Sequence, residues 1–243
     1  MGISSLVETE HASLGQEIAG QLRQAIIEGR IAPGERLVEA SIAERLGVSR
    51  GPVRDAILEL QRQGLVVNAP RRSAFVVEVS KDDIEEIYTL RMVLEAFAAR
   101  LAAQRITAEQ CQQLQETVDA LETDCDLQQS VALDIRFHDL IGQASGHSRL
   151  RATLSNMHLQ TELLIGTQRR PEVWRGLARL GADHQGILDA IRSGDTALAQ
   201  ERMRNHIEDS GLYLVAQMSA TRAPEQQGLA PQRTEAGDGV RQG

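Results

Sequence analysis

Apolar residues recur at helical spacing from the start of the readable pattern. Leu14, Ile18, Leu22 and Ile26 mark one helical face, and Gly29 stops that helix before the Ala32–Pro33–Gly34 turn. Ile42, Ala43 and Leu46 form a second short stripe. Val53, Ala56, Ile57 and Leu60 form a third. Between these two stripes, Gly47 is placed to end a helix in the left-handed conformation, and Ser49 to cap the next one. Pro52 falls in the first turn of that next helix, where its missing N–H costs little. The spacing therefore predicts a helix–turn–helix over Ser41–Gln63. The apolar stripe of its second helix leaves Arg50, Gly51 and Arg54 on a free face, an arrangement suited to a DNA major groove. After Gly64, the β-prone runs Leu65–Val67 and Ala74–Val79 flank a polar turn with Pro70, Arg71 and Arg72. That pattern predicts a hairpin with cations at its tip. It fits the wing of a winged helix, and it also fits an ordinary surface hairpin.

From Ser80 the pattern changes. Ser80 with Asp83, and Thr107 with Gln110, have capping-box spacing. Amphipathic periodicity predicts six helices, over 82–103, 107–123, 127–144, 148–167, 177–192 and 195–218, with no strand pattern among them. Gly166–Gly176, with Pro171 and no clear stripe, reads as a loop. The fold class is thus mainly α: an N-terminal winged helix–turn–helix over residues 13–79 and an all-α bundle over 80–219. Residues 1–12 read as a loose leader. Residues 220–243, polar and rich in Gly, Pro and Gln, read as a disordered tail.

Composition adjusts this picture in three places. At 243 residues and 42% apolar content the chain can bury two cores, and 2% aromatics makes them aliphatic. There is no eighteen-residue apolar run and no secretory signal pattern, and Cys111 and Cys125 lack metal-type or disulfide-framework spacing; together these point to a cytoplasmic protein with both thiols reduced. The net charge of −8 looks unfavourable for binding nucleic acid. Residues 36–76, however, carry seven Arg against four Asp/Glu, or about +3, while residues 81–243 carry 17 Lys/Arg against 24 Asp/Glu.

Within the bundle, polar residues interrupt core-facing stripes. The stripe Leu127, Val131, Asp134, Ile135, His138 and Ile141 contains a carboxylate and an imidazole at i and i+4, about 5–6 Å apart at Cβ. His184 sits in the stripe Leu177, Leu180, Leu188, Ile191. His206 sits in Ala199, Met203, Ile207, Leu214. An aspartate and three histidines make a sensible ligand set for a divalent transition ion such as Zn, Ni or Mn. They are equally readable as satisfied core histidines with one hydrogen-bonded aspartate. His158 flanks the stripe Leu150, Leu154, Met157 and is a further candidate for the same cavity, while His147 reads as a surface residue and His11 carries no signal.

The segments P-G-E-R-L (Pro33–Leu37), G-V-S-R-G-P-V-R-D-A (Gly47–Ala56) and G-L-V (Gly64–Val66) resemble the N-terminal domain of GntR-type bacterial transcription regulators. The resemblance implies DNA contacts by Arg50 and Arg54, with Ser49 and Gly51 in the same motif. Arg45, Arg36 and the wing residues Arg71 and Arg72 would assist. Ser73 stands where that family usually has a wing-tip glycine. Y-T-L-R-M-V-L-E (Tyr88–Glu95), D-I-R-F-H-D-L-I (Asp134–Ile141), H-Q-G-I-L-D-A-I (His184–Ile191) and M-R-N-H-I (Met203–Ile207) resemble the FCD-type effector domain of the FadR subfamily, in its six-helix, VanR-like form. This second resemblance implies metal binding at Asp134, His138, His184 and His206, and pairing of a small carboxylate effector with Arg91. His147 replaces the Asn common after Ser-Gly.

These readings converge on a homodimeric, ligand-responsive regulator, more a repressor than an activator, reading an inverted-repeat operator in double-stranded DNA. Two rivals are a regulator in which the ion itself is the signal and a metal-dependent enzyme fused to a DNA-binding domain. The second needs a general base beyond the ligands, and no additional inward carboxylate is evident in the pattern.

Overall fold

The computed structural model describes residues 14–69, 73–123, 127–168 and 183–221. The leader, His11, the wing tip with Pro70, Arg71 and Arg72, Cys125 and the tail from residue 222 lie outside them. Nine helices and three strands occur among the described residues.

In the N-terminal part, α1 (Leu14–Ile27) packs on α3 (Arg50–Arg62), with α2 (Glu39–Leu46) completing the triangle. Ile18, Leu22 and Ile26 bury one side of α1 against Val53, Ala56, Ile57 and Leu60 of α3. Leu14, expected in that stripe, is exposed at the helix start. Gly47 adopts φ 66°, and its N–H closes α2 on the carbonyls of Ala43 and Glu44. Ser49 holds the N-cap backbone of α3, but its hydroxyl makes no capping hydrogen bond, which corrects the expected role.

β2 (Val66–Ala69) and β3 (Ser73–Val76) form the hairpin, in register Val67↔Phe75 and Ala69↔Ser73. The strands are offset from the predicted 65–67 and 74–79, and residues 77–80 are not strand. A third strand, β1 (Arg36–Leu37), pairs antiparallel with β3, giving the order β1-β3-β2. Two residues are too short to leave a period-2 signal, so sequence did not reveal it. Ala74 and Val76 face the core while Ser73 and Phe75 are half-buried.

The bundle contains α4 (Lys81–Arg105), α5 (Ala108–Leu121), α6 (Leu127–Ala144), α7 (Ser148–Gln168), α8 (His184–Ser193) and α9 (Thr196–Thr221). Both capping boxes form: Ser80 and Thr107 accept from the amides of Asp83 and Gln110, whose side chains accept from the cap amides in return. α4 and α9 are the most intimate pair. A Cβ at Gly211 of α9 would lie 2.8 Å from Tyr88 Cβ on α4, so only glycine permits this approach. α7 continues through residues 166–168, the start of the predicted loop. α8 begins at His184, so that histidine opens a helix rather than sitting at the centre of one; the upstream stripe, with Leu177 and Leu180, lies outside the described residues.

The two parts meet through α7. Leu163, fully buried, belongs to the core of the N-terminal part. Gln160 Nε2 donates to the carbonyl of Gln63, 3.5 Å away, at the end of α3. No helix among the described residues is long and apolar enough to cross a membrane.

Candidate metal centre and nucleic-acid interface

Three bundle helices bring Asp134 and His138 (α6), His184 (α8) and His206 (α9) together. One ligand atom from each lies within 4.8 Å of the others. His138 Nε2 and His206 Nε2 face one another at 3.3 Å. Asp134 Oδ1 lies 3.3 Å from His184 Nε2 and 3.9 Å from His138 Nε2. A tetrahedral site with bonds near 2.1 Å would separate its donors by about 3.4 Å. The His184 contact lacks hydrogen-bond alignment, leaving its Nε2 buried without a partner. Two imidazole nitrogens converging beside a carboxylate, with another ring nitrogen orphaned, are poor hydrogen-bond company and a good donor set for a divalent cation. The three imidazoles are nearly fully buried, and Phe137, 4.5 Å from the His184 ring centroid, packs behind them.

The electrostatics favour the same state. Burial opposes ionisation of Asp134, but His184 and the neighbouring rings outweigh it and hold the carboxyl well below the usual range. Burial lowers His138 against the pull of Glu95. It lowers His206 further, aided by His184 and His138. Near neutrality the aspartate is therefore charged and these two imidazoles are neutral, as metal ligation requires.

Glu95 overturns the expectation that no further inward carboxylate exists. It is 1% exposed and sits one turn from Arg91, itself 2% exposed. Glu95 Oε1 accepts from Arg91 Nε at 2.6 Å and lies 3.3 Å from His158 Nε2, while Oε2 is 2.5 Å from His138 Nδ1. Burial raises its pKa, but Arg91 and His138 prevail and hold it well below the carboxylate range. Held between the Arg91 guanidinium and the rings of His138 and His158, it is not a spare general base. His158 thus reaches the centre through Glu95 and not as a member of the ligand cluster. Arg91 Nη1 donates to Thr161 Oγ1 of α7 at 3.3 Å, and its guanidinium lies 4.9 Å from the Tyr88 ring centroid. Burial pushes the Tyr88 phenol up to about 12. Tyr88, Arg91, Asp134, His138, His206 and Ser210 line a cavity of about 20 Å³, room for one water.

Ile84, Tyr88, Arg91, Glu95, Ala98 and Ala102 all point inward from α4 at helical spacing. That stripe was available in sequence. The polar residues in it were obscured because the opposite face, Leu90, Val93 and Phe97, is equally apolar. His147, the departure after Ser-Gly, is exposed and accepts the Leu150 amide on Nδ1 at 3.2 Å, serving the start of α7 as an Asn side chain would.

On the N-terminal part, Arg36, Arg45, Arg50 and Arg54 are all exposed, as are Ser49 and Gly51. A Cβ at Gly51 would meet no atom within 4 Å, so nothing inside the protein requires glycine there. Arg54 is not free: its Nε and Nη2 donate to Glu39 of α2 at 3.3 and 3.1 Å. Sequence reasoning missed this partner, whose position fifteen residues earlier carries no periodic signal.

Residues 14–76 match the family described as bacterial regulatory proteins, gntR family, and residues 86–209, just over half the chain, match the FCD domain. The chain belongs to the gntR family of bacterial DNA-binding transcription regulators, in its FCD-containing form. Its relatives are regulators and not enzymes. It is 28% identical over 204 residues to the HTH-type transcriptional repressor RspR of Escherichia coli (strain K12), covering 81% of this chain and 86% of that one. It is 27% identical over 220 residues to the gluconate operon transcriptional repressor of Bacillus subtilis (strain 168), covering 86% and 90%. The solved structure of E. coli McbR/YncC shares the fold, with a TM-score of 0.74 at 24% identity over 86% of this chain and all of that one.

Proposed function

We propose that this regulator is a homodimeric repressor whose grip on an inverted-repeat operator is set by a small organic acid bound beside a divalent transition ion, Zn, Ni or Mn. The observation that carries this reading is the convergence of Asp134, His138, His184 and His206 next to the buried guanidinium of Arg91. When bound, such an ion supplies a Lewis-acid seat for an anionic ligand. Arg91 adds the positive wall that an organic carboxylate needs. Transmission runs along α7: Thr161 contacts Arg91 on one side, while Gln160 and Leu163 engage the DNA-binding part on the other. The ligand acts by binding the weakly DNA-binding arrangement more tightly. Arg50 and Arg54 read bases, Ser49 and Gly51 allow close approach, and Arg36, Arg45, Arg71 and Arg72 hold the backbone.

The second copy docks on the outer face of α4. Leu90, Val93 (60% exposed) and Phe97 form an apolar stripe on that face, and Leu212 of α9 is likewise exposed at 64%. Val93→Glu is expected to shift the protein from dimer to monomer in analytical ultracentrifugation; a dimer undisturbed by the change sinks this placement.

The test of the main reading is thermal stability against a panel of small organic acids, with and without chelation. Stabilisation by one acid, lost with EDTA and restored by Zn, Ni or Mn, is the expected result. One observation favours the rival in which the ion alone is the signal: a cavity of about 20 Å³ admits a water but no organic acid unless its lining shifts. Metal alone altering operator affinity, with every acid silent, would establish that rival.

A further inference from the structure

Of the three imidazoles in the cluster, only His138 has its distal ring nitrogen against a carboxylate among the described residues. The distal nitrogen of His206 has no hydrogen-bond partner among the described residues. Glu95 Oε2 lies 2.5 Å from His138 Nδ1. The approach is off the ring's N–H axis, so it falls short of an aligned hydrogen bond. Even so, two lone pairs repel at that separation, which favours the tautomer with the proton on Nδ1. Arg91, at 2.6 Å from the other oxygen of the same carboxylate, keeps the negative charge on Glu95 and so the proton on the ring. A His protonated on Nδ1 presents a lone pair on Nε2, the nitrogen that faces His206 and Asp134.

We propose that Glu95 is a positioning residue of the metal centre: Arg91 and His158 clamp its carboxylate, which fixes His138 in the tautomer and ring orientation that ligate through Nε2. This rests on the metal reading above. It adds that Arg91 serves the metal site from the inside before any ligand arrives. A carboxylate behind a ligating imidazole also raises its basicity, and loss of such a partner typically weakens metal binding by roughly 10- to 100-fold. The Arg91 guanidinium on one oxygen and the imidazole of His138 against the other account for why so costly a group as an ionised glutamate is buried here.

The test is Zn²⁺ affinity of the full-length, EDTA-stripped protein, measured in competition with a chromophoric chelator, for the wild type and Glu95→Gln. A loss of roughly 10- to 100-fold in Glu95→Gln is expected. Apo-protein melting is recorded alongside. A lowered melting temperature with unchanged Zn²⁺ affinity would mean that Glu95 only supports the fold, and overturns the proposal. Should Glu95→Gln not fold, ¹⁵N NMR of wild-type imidazoles decides, with the His138 signals assigned by their loss in His138→Gln. Nδ1 protonated in the apo protein and Nε2 shifted by Zn²⁺ supports the proposal, and the reverse pattern overturns it. A wild type that takes up no Zn²⁺ removes the metal reading itself, an outcome distinct from a bound metal indifferent to residue 95.

Discussion

The two halves of this regulator use charge in opposite ways. The winged helix keeps Arg36, Arg45, Arg50 and Arg54 on its surface around a purely aliphatic core. The bundle places Arg91, Glu95 and four histidines inside its core. Surface charge can be spent on a partner at little cost to the fold, because an exposed ion pair contributes almost nothing measurable. Buried charge is tied to the fold, since each group depends on its partners to remain ionised or neutral. A DNA reader needs the first arrangement and a small-ligand or ion site the second.

The comparison can be broken by removing one charge from each half. The largest effect is expected for Arg91→Ala, which leaves Glu95 buried without its cation; global stability should fall by about 3–5 kcal/mol in denaturant unfolding. A loss within experimental error would mean that the pair relaxes to solvent. Leu163→Ala, at the apolar junction between the halves, is expected to cost about 2–5 kcal/mol through the cavity it leaves. If its loss appears only in the transition of the N-terminal part, the junction does not bind the halves into one unit. Arg50→Ala should leave melting unchanged and weaken specific operator binding by about 1–3 kcal/mol in a titration at fixed salt. Gly51→Ala sharpens the same point: it meets open space inside the protein, so any loss of operator affinity reports on DNA alone. The smallest effect belongs to Glu39→Gln, which removes the negative charge that faces Arg54 on the surface. No change in thermal stability is expected, and a clear one would show that this exposed pair resembles the buried one.

Legibility in the sequence followed the same division. The helix–turn–helix was readable because Val53, Ala56, Ile57 and Leu60 keep one helical period and Gly47 marks the turn, although Leu46, expected in the first stripe, is exposed and Arg54 is paired with Glu39. Asp134, His138 and His206 were readable because they break apolar stripes. Glu95 and Arg91 also break a stripe, on α4, but small alanines fill much of that inner face while Leu90, Val93 and Phe97 occupy the outer one. Hydrophobicity therefore pointed both ways around the helix. Tertiary partners carried no local signature at all: Glu39 for Arg54, His158 for Glu95, and β1 for β3 are matters of folding back over a distance. The unused hydroxyl of Ser49 shows a related gap, since a sequence can specify a capping residue without saying which of its atoms does the capping.

Leu163 makes the halves less interchangeable than their two family matches suggest. It is a residue of the bundle that completes the interior of the DNA reader. A chimera joining residues 14–79 to an unrelated bundle would inherit a reader with an open socket beside α1. Engineering a new sensor onto this operator specificity therefore requires transplanting the tooth of α7 along with the reader it fills.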